Sequence, residues 1–166
     1  IDYNKMPRDN KIDIAFVGKS NVGKSSLIND ICGRKIAMTS STPGKTQLIN
    51  FFLINKSFYF VDLPGYGFSK TPKETRKEWP KMIEDYFVNR EPLKAICFLL
   101  DIRRTPNEQD VFLIEWFAKV EDLKVIYILT KSDKLSKSDV NTQKKKIAAE
   151  LKININDMIC YSVPKK

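Results

Sequence analysis

The stretch "GKSNVGKS", residues 18–25, decides how the rest of the chain is read. It holds Gly-Lys-Ser twice, and only the second copy satisfies the spacing G-x-x-x-x-G-K-[ST], which runs from Gly18 to Ser25. An apolar run, Ile12 to Val17, precedes it, and "NVGKSSLINDICG" after it reads as a helix stopped by Gly33. In a strand–loop–helix unit of this kind the backbone N–H groups of the loop and of the helix N-terminus converge on one point and favour a phosphate. Gly18 and Gly23 allow the backbone to come close. Lys24 reaches the β and γ oxygens of a bound nucleotide, and the Ser25 hydroxyl is placed to bind Mg²⁺. Lys19, Ser20, Asn21, Val22 and Ser26 complete the expected cradle, with Lys19 and Ser20 as loop side chains rather than the clamp itself.

Three further stretches follow in the order such a site needs. Asp62 ends the apolar run "FYFV" and begins "DLPG". At a strand end it is placed to hold Mg²⁺ through water, while Leu63 and Pro64 lead to Gly65, whose N–H can meet the γ-phosphate. A plain turn is the bland alternative. "TKSD", Thr130 to Asp133, closes the apolar run "VIYIL". The Asp133 carboxylate can accept from guanine N1 and N2, a donor pair that adenine lacks, so the base read is guanine rather than adenine. Lys131 is expected along the base and against the phosphate loop, with Thr130 and Ser132 flanking it. In "CYSVP", a backbone N–H near Ser162 could contact guanine O6, or Ser162 could be an ordinary loop serine. A loop threonine between the first helix and the next strand could complete the Mg²⁺ shell and release after hydrolysis. Thr46 stands there, but so do Thr39, Ser40, Ser41 and Thr42, and chemistry does not choose among them.

The surrounding chain agrees with this unit. Its 166 residues suit one domain with a core, and 42% hydrophobic with 30% charged residues describes a soluble globular chain. The two aromatic and β-branched runs of "QLINFFLINKSFYFVDLP" split at Asn55-Lys56 and read as a hairpin. "TPKETRKEWPKMIEDYFVNR" reads as a helix with a puzzling Pro80 inside. "LKAICFLLD" and "LKVIYILT" are buried strands, "NEQDVFLIEWFAKV" an amphipathic helix, "SKSDVNTQKKKIAAELK" a basic helix and "DMICYS" a short last strand. The expected fold is α/β: a P-loop NTPase domain of the Ras-like type over residues 1–166. Its sheet is mostly parallel, of about six strands with one antiparallel edge strand, and has helices on both faces. A covering helix is expected after the last strand, and truncation or disorder is the expected reason that "VPKK" does not supply it.

Net charge is +9, which favours polyanionic partners, nucleic acid above all. The absence of histidine excludes a His base or His metal ligand from this chain. Cys32, Cys97 and Cys160 have no metal-site spacing and are expected to be reduced and mostly buried, as in a cytoplasmic protein. The chain opens without Met, and removal of a leader would point to an organelle instead. No apolar run reaches the ~20 residues of a membrane span, and no lipidation motif suggests an anchor.

Together "GKSNVGKSSLIN", "TPGKTQLINFF", "FVDLPGYGFSK", "EWPKMIEDYF", "DIRRTPNEQD" and "LTKSD" resemble the EngB (YihA/YsxC) family of Era-like, translation-factor-related GTPases, over nearly the whole chain. The resemblance implies GTP and GDP as ligands, Mg²⁺ as cofactor, and Thr46 as the switch threonine and a Mg²⁺ ligand beside Ser25. It implies that Gly44, Lys45, Thr46, Gln47 and Leu48 line the nucleotide, and that Cys160, Tyr161 and Ser162 form the guanine-contacting end. Tyr161 departs from the family's Ser-Ser or Ser-Ala, which leaves a backbone contact as the expectation there. It implies a role in assembling the large ribosomal subunit, with cell division and septation also attached to the family; the +9 charge agrees with an rRNA partner, and a monomer is expected. "RKEW" with Arg76 and Lys77, Arg103-Arg104 and Lys144 to Lys146 are candidate contacts. The competing function is a nucleotide-dependent binding module for a division or membrane-associated partner, in which hydrolysis is incidental.

Lys24, Thr46 and Gly65 are the expected catalytic groups. Where Ras-like GTPases place a water-orienting glutamine after the DxxG glycine, this chain has Tyr66, which cannot orient water as a carboxamide does. Slow intrinsic turnover is expected, with help from the ribosomal partner or from K⁺ held by Asn21. Tyr66 itself is expected to be mobile and partly exposed.

Overall fold

The computed structural model describes residues 6–38, 48–67 and 85–163. Six strands form one sheet: β1 Asp13–Gly18, β2 Asn50–Ile54, β3 Phe58–Asp62, β4 Leu93–Asp101, β5 Lys124–Thr130 and β6 Met158–Cys160. Their order is β2-β3-β1-β4-β5-β6. Only β2 runs antiparallel to its neighbour, and it lies at the edge. The hairpin turn explains this: Asn55 and Lys56 both take positive φ (49° and 57°), and the Ser57 N–H returns to Ile54 O at 2.9 Å. Two left-handed residues give the turn whose twist matches paired antiparallel strands.

Three helices lie wholly within the described residues: α1 Lys24–Ile31, α2 Glu108–Phe117 and α3 Lys137–Leu151. Residues 85–89 are also helical, while most of the long helix expected around Pro80 falls outside the description. Alternation along β4 divides the core between two faces. Ile96, Phe98 and Leu100 join one cluster with Leu113, Ile114 and Phe117 of α2, Ile147 and Leu151 of α3, and Tyr86 and Phe87. Cys97 and Leu99 face the other way, with Phe16, Phe60 and Ile128, and meet Leu27 and Ile28 of α1. Each such side chain contributes about 1.5–3 kcal/mol by leaving water, so both faces hold the sheet in place.

The cysteines depart from the expectation of general burial. Cys97 is buried in β4 and its thiol is pushed up to about 11 by that burial, but Cys32 is half-buried and Cys160 exposed. The reason is position: Cys32 caps α1 at the surface, and Cys160 ends the three-residue edge strand β6.

At the N-terminal end of the strands, Asp13 is fully buried at the start of β1. The Arg90 guanidinium grips it, with Nε–Oδ2 2.7 Å and Nη2–Oδ1 3.2 Å, and the Tyr86 hydroxyl donates to Oδ2 at 3.1 Å. Arg90 Nη1 also donates to Pro7 O at 2.5 Å, and its guanidinium lies 5.3 Å from the centre of the Phe51 ring. This knot ties the chain before β1, the hairpin and the 85–90 segment to one carboxylate.

Candidate nucleotide site

Apart from Leu48, which precedes the antiparallel edge strand β2, every described residue read as nucleotide-contacting lies at or just beyond the C-terminal strand ends or in the first turn of α1, where a parallel sheet opens a crevice for ligands. β1 ends at Gly18, and there a side chain has no room. An added Cβ would lie 2.8 Å from Val22 Cγ1 and 2.9 Å from Leu99 O. The loop then turns through Asn21 (φ 63°) and Gly23 (φ 110°) into α1, whose first residues are Lys24, Ser25 and Ser26. Among the described residues no side chain caps this helix, so its first N–H groups face the crevice. Val22 is buried beneath the loop, and its carbonyl accepts from Thr130 Oγ1 at 2.7 Å. Thr130 Oγ1 also approaches Leu100 O at 3.1 Å, so one hydroxyl joins the loop to β4 and β5.

Asp62 closes β3, paired in register with Phe16, and is buried. Lys24 Nζ donates to its Oδ1. Phosphate-loop ammonium and strand-end carboxylate therefore meet at one spot. Ser25 and Asp62 offer hydroxyl and carboxylate oxygens, the hard donors that Mg²⁺ takes. Leu63 and Pro64 are buried, with the Leu63 N–H on Phe16 O at 3.3 Å, and bring Gly65 against the loop. A Cβ on Gly65 would sit 2.9 Å from both Cα and N of Ser20. Ser20 Oγ donates to Gly65 O at 3.3 Å and the Ser20 N–H to Tyr66 O at 3.0 Å.

Tyr66 is not the mobile, partly exposed residue expected from the sequence. It is 4% exposed, its ring stacks on Phe98 at 6.3 Å, and its hydroxyl donates to Asp110 Oδ1 at 2.6 Å. Burial first, then the Asp110 charge, pushes its hydroxyl far above the usual phenol range. The physical reason is that α2 presents a buried carboxylate at its first turn, a partner that nothing local to "DLPGYG" announces. Lys19 shares that partner, with Nζ 2.7 Å from Asp110 Oδ2.

The end expected from the sequence to read the base is built by β5 and β6. Lys131, in the left-handed region (φ 61°), turns the chain into a short 3₁₀ segment, Ser132–Lys134. Its Nζ donates to Asn21 O at 2.8 Å and lies 3.0 Å from Asp101 Oδ2. Asp133 is exposed, its Oδ2 3.2 Å from Lys134 Nζ. The Ser132 N–H donates to Tyr161 O at 3.3 Å, and the Tyr161 N–H to Leu129 O at 2.8 Å, so Cys160 to Ser162 run beside the 130–133 turn. The Tyr161 side chain leaves this turn and donates its hydroxyl to Asp30 of α1. Gly44, Lys45, Thr46 and Gln47 lie outside the described residues, and Leu48, just inside, is exposed.

Asp101 was not singled out from the sequence as a site residue. Burial raises its pKa, but hydrogen bonds from Arg103 (Nε–Oδ1 2.9 Å, Nη2–Oδ2 2.7 Å) and from Lys131 outweigh this and hold the carboxyl well below the usual range. Asp110 was missed too. "NEQD" signals a helix cap, but not the tertiary partners of that cap.

A Gly-rich phosphate loop, a strand-end Asp-x-x-Gly and a T-K-x-D turn along one edge of a mostly parallel sheet define a P-loop GTPase. Residues 13–131 match the family described as "50S ribosome-binding GTPase". The chain is 47% identical over 162 residues to the probable GTP-binding protein EngB of Clostridium beijerinckii, covering 97% of this chain and 81% of that one. It is 50% identical over 154 residues to the EngB protein of Fusobacterium nucleatum, covering 92% and 78%. A crystal structure of a probable GTP-binding protein EngB shares the fold at TM-score 0.74 and 24% identity, over 91% of this chain and 89% of that one. A structure of Era in complex with MgGDPNP and a segment of 16S ribosomal RNA shares it at TM-score 0.66 and 23% identity, over 91% and 50%. The chain belongs to the EngB family of GTP-binding proteins and is a GTPase, converting GTP to GDP and phosphate.

Proposed function

We propose that this GTPase is a slow molecular switch in assembly of the large ribosomal subunit, working as a monomeric single domain over residues 1–166 in the cytoplasm. The observation that carries the reading is the match of residues 13–131 to 50S ribosome-binding GTPases in a chain of net charge +9. The Era relative bound to ribosomal RNA supports a nucleic-acid partner for this fold. Lys145 and Lys146 are exposed on α3 and are the favoured phosphate contacts, with Arg104. Arg103 is a poorer candidate, because its fork is already engaged by Asp101. Arg76 and Lys77 lie outside the described residues.

In the bound state Gly18 to Ser26 hold the phosphates, with Lys24 on the β and γ oxygens. Ser25, Thr46 and, through water, Asp62 would hold Mg²⁺, and the ion would supply charge neutralisation on the phosphates. Gly65 donates its N–H to the γ-phosphate. Lys131 and Asp133 read guanine, and the backbone of Cys160 to Ser162 closes the base site. Asn21 supplies an oxygen for K⁺ near the phosphates. Hydrolysis of this kind depends on position and charge rather than a strong base. Turnover in KCl against NaCl, with wild type and Asn21→Ala, tests the ion; equal rates in both salts remove it. The wider reading is tested by co-sedimentation with ribosomal subunits in the GDP, GTP-analogue and nucleotide-free states. Association that depends on nucleotide supports it, and no association in any state overturns it.

A further inference from the structure

One carboxylate joins the phosphate loop to the DxxG segment. Asp110, in the first turn of α2, is 0% exposed. As a helix cap it needs only one oxygen: Oδ2 accepts from the Asn107 N–H at 2.8 Å, while the Asn107 side chain caps the N–H groups of Gln109 and Asp110. Here both oxygens are engaged. Oδ2 also accepts from Lys19 of the phosphate loop at 2.7 Å, and Oδ1 accepts from Tyr66 of the DxxG segment at 2.6 Å. Lys19 and Tyr66 also pair as a parallel bridge that prolongs the β1–β3 contact past the strand ends. Gly67, at φ 79°, lies against the same lysine: an added Cβ there would stand 3.6 Å from Lys19 Cγ. The two segments are thus fixed to each other and to α2 beside Gly65.

We propose that Asp110, acting through Tyr66 and Lys19, is the positioning residue that sets the Gly65 N–H for the γ-phosphate during hydrolysis. The inference rests on the reading of Gly65 as that donor. It also gives the tyrosine at the glutamine position a function. The Tyr66 hydroxyl is spent on Asp110 and does not orient water, but it fixes the backbone next to Gly65. A reacting group displaced by about 1 Å loses on the order of 10²-fold in rate, so the anchor acts on turnover more than on ground-state binding.

The test is single-turnover GTP hydrolysis and GDP titration on the full chain, with thermal unfolding to establish that each variant is folded. Tyr66→Phe keeps the ring on Phe98 and removes only the hydroxyl; Asp110→Asn weakens both anchors. Each is expected to slow hydrolysis about 10- to 100-fold while GDP affinity stays within about twofold, and the double variant should be no slower than the worse single one. Rates within about twofold of wild type in the folded variants overturn the inference. So does a loss of GDP affinity as large as the loss of rate, because that is a general structural effect. If Asp110→Asn does not fold, Tyr66→Phe carries the test alone. Gly65→Ala separates the two levels. Normal hydrolysis in that variant removes the Gly65 reading itself. An inactive Gly65→Ala beside normal Tyr66→Phe and Asp110→Asn variants removes only the positioning inference.

Discussion

Two buried carboxylates sit at opposite ends of the same sheet, and their partners differ in kind. Asp13, at the start of β1, is held by an arginine fork and a tyrosine hydroxyl. Asp62, at the end of β3, meets the ammonium of a phosphate-loop lysine. A guanidinium is planar, always charged and bidentate, so the pair at Asp13 is a fixed joint. An ammonium is a point charge on a flexible stem, able to turn from a carboxylate to a phosphate with little rearrangement. The sheet thus has a closed end that holds the chain together and an open end whose lysine is proposed to exchange its carboxylate for a ligand phosphate.

Breaking the closed end should have the largest effect. Arg90→Ala leaves Asp13 buried without its cation, and an unfolding free energy lower by about 3–5 kcal/mol is expected in urea titration. Nucleotide affinity of the folded fraction should stay within about twofold; a large loss of affinity would break the division between the two ends. Lys24→Ala should act on the ligand instead. GTP and GDP binding, followed by titration with a fluorescent analogue, should weaken at least about 100-fold, or about 2.7 kcal/mol. A variant that binds normally would mean that Lys24 belongs to Asp62 alone.

Thr130→Val probes the join between the open end and the core. It removes the hydroxyl shared by Val22 O and Leu100 O, and a loss of about 1–3 kcal/mol in unfolding free energy is expected, with weakened nucleotide binding. Asp101→Asn should have a smaller, pH-dependent effect. The folded carboxyl titrates below its unfolded value, so its stabilising contribution is complete above about pH 4 and is lost as pH falls through the lowered value. The variant should flatten the acid limb of stability against pH by less than one proton, and an unchanged limb would show that the ion pairs with Arg103 and Lys131 contribute little. Tyr161→Phe should be the smallest, under about 1 kcal/mol, because its bond to Asp30 lies near the surface.

Where information was local, it could be read along the chain. The phosphate loop, the hairpin at Asn55-Lys56 and the apolar strands declared themselves by spacing, turn chemistry and period. So did the order of P-loop, DxxG and TKxD, which is why the GTPase class was legible before any fold was described. Tyr66 shows the limit. Its sequence neighbours suggested an exposed switch residue, yet its environment is made by Phe98 and Asp110, both more than 30 positions away. Asp110 likewise passed as one polar residue of an amphipathic helix, and only the packing of α2 beside the phosphate loop supplied its partners.

The sequence by itself determined most of the elements, the mostly parallel sheet covered on two faces and the family, because glycine conformation, hydrophobic period and motif spacing act over a few residues. The tertiary structure alone decided which charges meet: Arg90 with Asp13, Lys24 with Asp62, Lys131 with Asp101, and Lys19 and Tyr66 with Asp110. The physical reason is that a carboxylate's partner is set by distance and burial in space, which the order of residues along the chain does not display.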